Sequence, residues 1–207
     1  MRPFILSCFI FLAFIICSCG RIAFFITGGH MPRCENEQTI REYLAKEKIK
    51  ADNVYVIPDS SGWRFLLTKF VNLPEICYFD RNGYHILLRD SAQCNDQNYT
   101  LLAALDTIKT YQVDSTFTFA MLMSKLKTLD GNHADIVREE QPDYYLAISW
   151  ARFANPAIYK VRDWDNMLDT LNTALKLKAI KVNFDIQESW GCVAGEKFAF
   201  RKIKGNM

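Results

Sequence analysis

The apolar residues of this chain recur at two spacings, and each spacing predicts one kind of regular structure. Apolar residues three and four positions apart, typical of one buried helix face, occur in residues 39–49, 61–70, 99–109, 117–129 and 157–178. Short apolar runs typical of buried strands occupy residues 54–57, 76–79, 84–88, 144–150 and 180–184. Because short strands alternate with longer helices, the pattern predicts an α/β chain with a mixed sheet flanked by helices on both faces.

Local cap and turn signals mark the ends of several predicted elements. Thr39-x-x-Glu42 matches a capping box and predicts a helix start, and Ser61 is a second candidate cap. Asn82-Gly83 stands between two apolar runs, which predicts a β-hairpin.

The first residues have the order of a secretory signal. Arg2 precedes an apolar run at residues 4–17, and small residues flank Cys19 directly after this run. The run of about 14 residues is shorter than the roughly 20 that a helix needs to cross the hydrocarbon core of a membrane. We therefore expect a cleaved signal at residues 1–18 rather than a spanning anchor, which would place Arg21 in or near the bilayer.

Cys19 makes this signal more specific. The segment Ile16-Cys17-Ser18-Cys19-Gly20 resembles a lipobox, in which the thiol of the new N-terminal cysteine is diacylated. Two acyl chains on one residue give a stable membrane anchor. The resemblance implies a bacterial lipoprotein of the cell envelope, tethered to a membrane through Cys19 and facing the periplasm or the cell exterior.

Composition and charge exclude several classes of protein. Half of the residues are hydrophobic, and 25 basic against 23 acidic residues leave a net charge of +2. This balance is ordinary for a globular protein and offers no basic surface for nucleic acid, so no nucleic-acid partner is expected. The sequence contains no P-loop, no dinucleotide-binding glycine motif and no cysteine or histidine spacing typical of a metal site, so neither a cofactor nor a metal ion is predicted.

Four cysteines follow Cys19, and export to an oxidising compartment would allow them to pair. They are Cys34, Cys77, Cys94 and Cys192. Cys77 stands in an apolar run and is predicted to be a small buried hydrophobe. Cys94 and Cys192 lie in polar, turn-rich segments and are therefore the candidate disulfide partners. Trp190, in a polar run near Cys192, is a candidate contact for a ligand or partner.

The segment from the strand at 144–150 to the strand at 180–184 resembles the active-site region of the thioredoxin family. Trp150 and Ala151 match the family's Trp-Ala pair, Phe153 takes the place of the second aromatic residue, and Pro156 keeps the proline. A long helix and a strand ending Val-Asn-x-Asp follow in the expected order. Ala154 and Ala157 stand at the positions of the two active-site cysteines, and Asn155 replaces the glycine.

A second segment, residues 71–83, resembles the family's proline strand and hairpin, with Pro74 as the proline. It precedes the Trp-Ala segment, whereas in the family it follows. The resemblance therefore implies a thioredoxin-like sheet whose elements are permuted, or two incomplete halves in tandem. The corresponding division is a signal at 1–18, a tether at 19–38, an α/β half with the proline hairpin at 39–110, and an α/β half with the degenerate motif at 111–207.

Disulfide exchange needs an activated thiolate at a helix N-terminus and a second thiol to resolve the mixed disulfide. Alanine supplies neither, so the resemblance implies a protein that performs no redox chemistry at this motif. It implies instead a binding site for a protein or peptide, in which free helix N–H groups lie beside the proline strand. The proposed site residues are Trp150, Ala154, Asn155, Pro156, Ala157 and Pro74.

Two alternatives remain open at this point. One is a thiol oxidoreductase that uses Cys77, or a pair formed by Cys94 and Cys192, in place of the lost motif. The other is a structural or immunity-type lipoprotein whose fold only resembles thioredoxin.

Overall fold

The computed structural model describes residues 29–70, 72–88, 96–108, 110–134, 141–171 and 174–198. The predicted signal segment with Cys19 lies outside the described residues, and so does Cys94. Among the described residues, no helix combines the length and the apolar character that crossing a membrane requires.

Nine strands and five α-helices make up the described fold. The strands are β1 Cys34–Glu35, β2 Val54–Val56, β3 Glu75–Asp80, β4 Tyr84–Leu87, β5 Gln112–Thr118, β6 Lys127–Thr128, β7 Tyr144–Trp150, β8 Leu177–Asn183 and β9 Ile186–Gln187. The helices are α1 Glu37–Glu47, α2 Ser60–Leu67, α3 Gln97–Ala103, α4 Phe119–Met123 and α5 Ile158–Thr170. Short 3₁₀ segments lie at Leu105–Thr107, Arg152–Ala157 and Glu188–Trp190.

Seven of the strands form one mixed sheet in the order β5-β4-β3-β7-β8-β2-β6. Its central strand is β7. β7 pairs in parallel with β8 along its whole length, and it pairs antiparallel with β3 along most of its length. β2 adds a second parallel pair on β8, and the hairpin of β3 and β4 continues into β5. The predicted α/β class with a mixed, helix-flanked sheet is confirmed.

The central strands are apolar on both faces because helices cover both sides of the sheet. Alternate residues of β7, such as Leu146 and Ile148, pack with α1, α3 and α5, whereas Ala147 packs on the other face with α2 and α4. Full burial on both faces explains why this segment reads as a continuous apolar run instead of an alternating one.

Four predicted features of local structure are confirmed. Residues 144–150 form β7 with the predicted bounds, and residues 54–56 form β2. Asn82-Gly83 connects β3 to β4, and Gly83 adopts a φ of 80°, a left-handed conformation that favours glycine. Cys77 is buried in β3 and forms no disulfide, as a small core residue would.

The helix predicted at 117–129 is wrong over most of its length. Phe117 belongs to β5, and only Phe119–Met123 is helical before β6 begins. Phe117 is fully buried among the rings of Phe70, Phe79 and His85, so strand pairing and aromatic packing outweigh the helical spacing in this segment.

The helix predicted at 157–178 ends early, because pairing with β7 draws residues 177–183 into β8. Both predicted caps are also displaced. Asn36 caps α1 in a reciprocal pair with Thr39, which occupies the third helical position. Asp59 caps α2 by accepting from the N–H groups of Ser61 and Gly62.

A two-stranded parallel sheet joins the beginning of the described chain to its end. β1 pairs with β9, with Cys34 beside Ile186 and Glu35 beside Gln187. This pairing brings Cys34 within disulfide reach of Cys192, and the two form a bond with a Cα–Cα distance of 6.1 Å. The predicted pairing of Cys192 with Cys94 is therefore wrong, because Cys192 is bonded to Cys34, which the β1–β9 pairing holds at the same end of the fold.

The disulfide cross-links residues that are 158 positions apart. A cross-link that closes so long a loop lowers the entropy of the unfolded chain and typically stabilises a fold by about 2–4 kcal/mol. It fixes β1 and, with it, the side chain of Glu35.

Candidate functional site

The structure gathers the residues of the degenerate motif at one end of the sheet. Trp150 is the last residue of β7 and is buried, and Ala154, Asn155, Pro156 and Ala157 lie in the 3₁₀ segment that leads into α5. Asn155 is half-buried and Pro156 is exposed. The motif therefore connects the central strand to a helix, as the resemblance implies.

Pro74 lies at the same end of the sheet. β3 runs antiparallel to β7 with Glu75 opposite Ser149, so Pro74 comes next to the register position of Trp150. The Leu73–Pro74 peptide bond is cis. Leu73 and Ala154 pack against the same apolar cluster.

The first N–H groups of the 3₁₀ segment are not free. The Asp185 carboxylate accepts from the N–H of Arg152 at 2.8 Å and 3.0 Å and from the N–H of Phe153 at 3.4 Å. The N–H of Ile158 donates to the carbonyl of Asn155 inside the same segment. The expected capture of a ligand by free helix N–H groups therefore finds these three groups occupied.

Side chains around the motif enclose an open cleft of about 190 Å³. Its walls come from β1 and the segment before it, from α1, from the motif segment and from the turn between β8 and β9. The lining residues are His30, Met31, Arg33, Glu35, Tyr43, Lys46, Arg152, Phe153, Asn155 and Asp185.

Arg152 and Tyr43 organise the interior of the cleft. Arg152 donates to the buried Glu35 carboxylate at 2.8 Å and lies with its guanidinium carbon 5.3 Å from the centre of the Tyr43 ring. The Tyr43 hydroxyl donates to the side-chain oxygen of Asn155 at 2.5 Å. Tyr43 also stacks on Trp150, with 6.1 Å between ring centres. Burial raises the pKa of the Tyr43 phenol, so the hydroxyl stays protonated and remains a donor.

A buried polar network forms the floor beneath the motif. Asn183 donates to Asp185 at 2.7 Å, and Gln187 donates to the side-chain oxygen of Asn183 at 2.9 Å. All three side chains are buried. Burial, which disfavours the charged form, raises the pKa of the Asp185 carboxyl to about 6, although hydrogen bonds from Arg152 and Asn183 oppose the rise.

Four of the central residues of the cleft were not recognised from the sequence: Glu35, Tyr43, Arg152 and Asp185. Arg152 and Asp185 did stand inside the segment with the Trp-Ala pair, and Asp185 is the last residue of its Val-Asn-x-Asp ending, but neither was named as a site residue. Glu35 and Tyr43 belong to β1 and α1, distant in sequence from the motif. One sequence signal could have pointed to this site: the acidic residue Asp185 directly follows the apolar strand predicted at 180–184.

Trp190 has a structural role in this fold. Its indole N–H donates to the carbonyl of Ile57 at 2.9 Å, and its ring meets Trp63 edge to face at 6.0 Å. Among the described residues, no group of three or more His, Cys, Asp or Glu side chains is arranged to hold a metal ion.

The pH dependence of stability tests the buried Asp185. A carboxyl whose pKa is higher in the folded protein stabilises the fold fully below the unfolded pKa, and this contribution is lost as pH rises to about 6. Relative to Asp185→Asn, the wild type should therefore lose up to about 3 kcal/mol of unfolding free energy between about pH 4 and about pH 7. Urea unfolding across this range measures the difference.

Asp143→Asn is the matched control. Hydrogen bonds from the Lys176 N–H and from Arg81 hold the pKa of the Asp143 carboxyl below its usual value. The unfolding free energy of the wild type should therefore increase relative to that of this variant as pH rises. Parallel pH profiles for the wild type and Asp185→Asn would show that the Asp185 carboxyl does not titrate differently in the folded protein.

Comparison of the chain with protein-family models, curated proteins and solved structures gives no match. These comparisons assign neither a family nor a fold, so a functional hypothesis has to rest on the residues of the cleft and on the sequence patterns.

Proposed function

We propose that this chain is an exported, membrane-tethered, thioredoxin-like protein that binds a protein or peptide partner and performs no redox chemistry at its degenerate motif. The observation that carries the proposal is the cleft beside Trp150 and Asn155, which offers side-chain donors and acceptors where a thioredoxin carries its cysteines. Every residue lining the cleft lies in the described part of the chain, and none is a cysteine.

The arrangement of strands supports the thioredoxin-like part of the proposal. β7, the motif segment, α5 and β8 follow in the order of the matched family segment, and β7 and β8 are parallel neighbours. The proline hairpin of β3 and β4 lies against the other edge of β7 in the same sheet. We favour one permuted sheet over two tandem halves, because β3 from the first half and β7 from the second pair directly.

The cysteines of the described chain support a non-redox role. Cys77 is enclosed in the core, and burial raises the pKa of its thiol, which makes it a poor nucleophile. Cys34 and Cys192 are already joined. At the motif itself, Ala154 and Ala157 offer no sulfur for exchange.

The size and lining of the cleft favour a peptide side chain as its occupant. Pockets for drug-sized ligands typically measure about 300–1,000 Å³, whereas this cleft measures about 190 Å³. Met31, Phe153 and the Tyr43 ring provide apolar surface beside the polar groups of Arg152 and Asn155. Such a recess accommodates one side chain of a partner whose remaining contacts lie outside it.

Photo-crosslinking in the source cells tests the binding role. A photoreactive amino acid in place of His30, an exposed residue on the cleft, should yield an adduct with a partner protein. The same amino acid in place of Lys176 is the control, because Lys176 accepts from the backbone of Asp143 and Tyr144 at the opposite end of the sheet. Absence of a cleft-specific adduct would count against the binding role.

The tether has a separate test. We expect the mature protein to begin at a diacylated Cys19, and Cys19→Ser to release the protein from the membrane fraction, because the acyl chains supply the anchor. Mass spectrometry of the N-terminal peptide and cell fractionation measure this. A Cys19→Ser protein that remains in the membrane fraction with an unprocessed signal would indicate an uncleaved anchor instead.

A thiol oxidoreductase is the second candidate function, because the Cys34–Cys192 disulfide lies beside the cleft residue Glu35. Cys34 is fully buried, whereas Cys192 is partly exposed. If the disulfide is structural, the wild type and a Cys34→Ala/Cys192→Ala variant should both leave the rate of insulin reduction by dithiothreitol unchanged. Acceleration by the wild type that disappears in the double variant would establish the oxidoreductase.

A further inference from the structure

We propose that the cleft recognises the carboxylate of an acidic side chain in a peptide segment of the partner. This inference rests on the proposed binding function and specifies the ligand chemistry of the same site. It rests on a difference in burial and pairing between the charged groups that line the cleft. The negative groups are buried and paired, whereas the positive groups are more exposed.

The negative groups of the cleft are buried and already paired. Glu35 is 3% exposed and accepts from Arg152, and Asp185 is 1% exposed and accepts from two backbone N–H groups and from Asn183. Because both carboxylates are almost fully enclosed, a cationic ligand could reach neither without displacing the groups packed around them. The cleft is therefore a poor site for a lysine or arginine side chain.

The positive groups are more accessible. Arg33 and Lys46 are exposed at the rim, and Arg152 keeps 36% of its side chain exposed. Arg152 donates to Glu35 through one of its terminal nitrogens, and a guanidinium carries five N–H donors in all. Donors therefore remain for a carboxylate that enters the cleft, which an arginine can hold through two parallel hydrogen bonds.

The rim cations are not committed to neighbouring carboxylates at hydrogen-bond distance. Lys46 lies 3.8 Å from the Glu47 carboxylate, which is an ion pair without a hydrogen bond, and its side chain is 76% exposed. Within the described part of the chain, Arg33 forms no ion pair. Ligand binding would therefore not need to break an existing hydrogen-bonded ion pair at the rim.

The apolar lining favours a peptide over an anionic membrane surface. Membrane recognition by charge typically uses clusters of about 4–8 lysines and arginines on an exposed face, whereas this site is a recess with Met31 and Phe153 among its walls. These two side chains would contact an apolar neighbour of the acidic residue. The proposed ligand is thus an acidic residue flanked by an apolar one.

Selection from a random heptapeptide library displayed on phage, with the full-length chain in detergent micelles as bait, tests the inference. We expect the enriched peptides to share an Asp or Glu at one position. In fluorescence anisotropy, replacing that residue by Asn or Gln should weaken binding about tenfold, as expected for loss of a charge-assisted hydrogen bond. Vesicles containing phosphatidylglycerol serve as the alternative probe.

The variant Arg33→Gln/Lys46→Gln keeps the buried Arg152–Glu35 pair intact, so it should fold. It should bind the acidic peptide about tenfold more weakly than the wild type but bind the neutral peptide equally well. Arg81→Gln/Lys176→Gln removes the same charge at the opposite end of the sheet and should leave both affinities unchanged.

The possible results separate this inference from the proposed function. Enriched peptides without a shared acidic residue would overturn the inference and leave peptide binding intact. Binding to the anionic vesicles that depends on Arg33 and Lys46, without any enriched peptide, would overturn the inference in favour of a membrane ligand. A cleft-specific photo-adduct without enrichment of acidic peptides would likewise overturn the inference while supporting the binding role.

Discussion

The pairing of β7 with strands on both of its edges is the constraint on which the rest of this structure depends. β7 meets β8 from Tyr144 to Trp150 and β3 from Tyr144 to Ser149. Its two faces supply residues to both hydrophobic cores, so a change in its register would move core residues of each face to the other side. The same pairing places Pro74, at the start of β3, beside the end of β7 where the degenerate motif begins.

Asp185 connects the paired strands to the candidate site through hydrogen bonds. It follows β8 and reaches across to the backbone N–H groups that follow β7, so the ends of two neighbouring parallel strands are joined by one buried carboxylate. This contact orients the turn that presents Arg152 and Asn155. The hydrogen bonds partly offset the cost of burying the carboxylate, yet its pKa remains raised, because desolvation dominates.

The disulfide and the small β1–β9 sheet position the remaining residues of the site. They hold Glu35 against Arg152, and α1, which follows β1 directly, brings the Tyr43 ring over the same guanidinium. Glu35 is buried against Arg152, so the accessible charge of the cleft lies with the exposed part of Arg152 and with Arg33 and Lys46 at the rim.

The sequence by itself determined the α/β class, the bounds of β7, the hairpin at Asn82-Gly83 and the absence of a thiol at Ala154 and Ala157. Each of these depends on residues that are neighbours along the chain, and apolar spacing or turn chemistry reports them directly. Only the tertiary structure decided that Cys192 pairs with Cys34, that Glu35 meets Arg152 from 117 residues away, and that Asp185 occupies the first N–H groups of the motif. These contacts depend on the order of strands in the sheet, and strand order follows from the packing of the whole chain, which no local pattern of residues encodes.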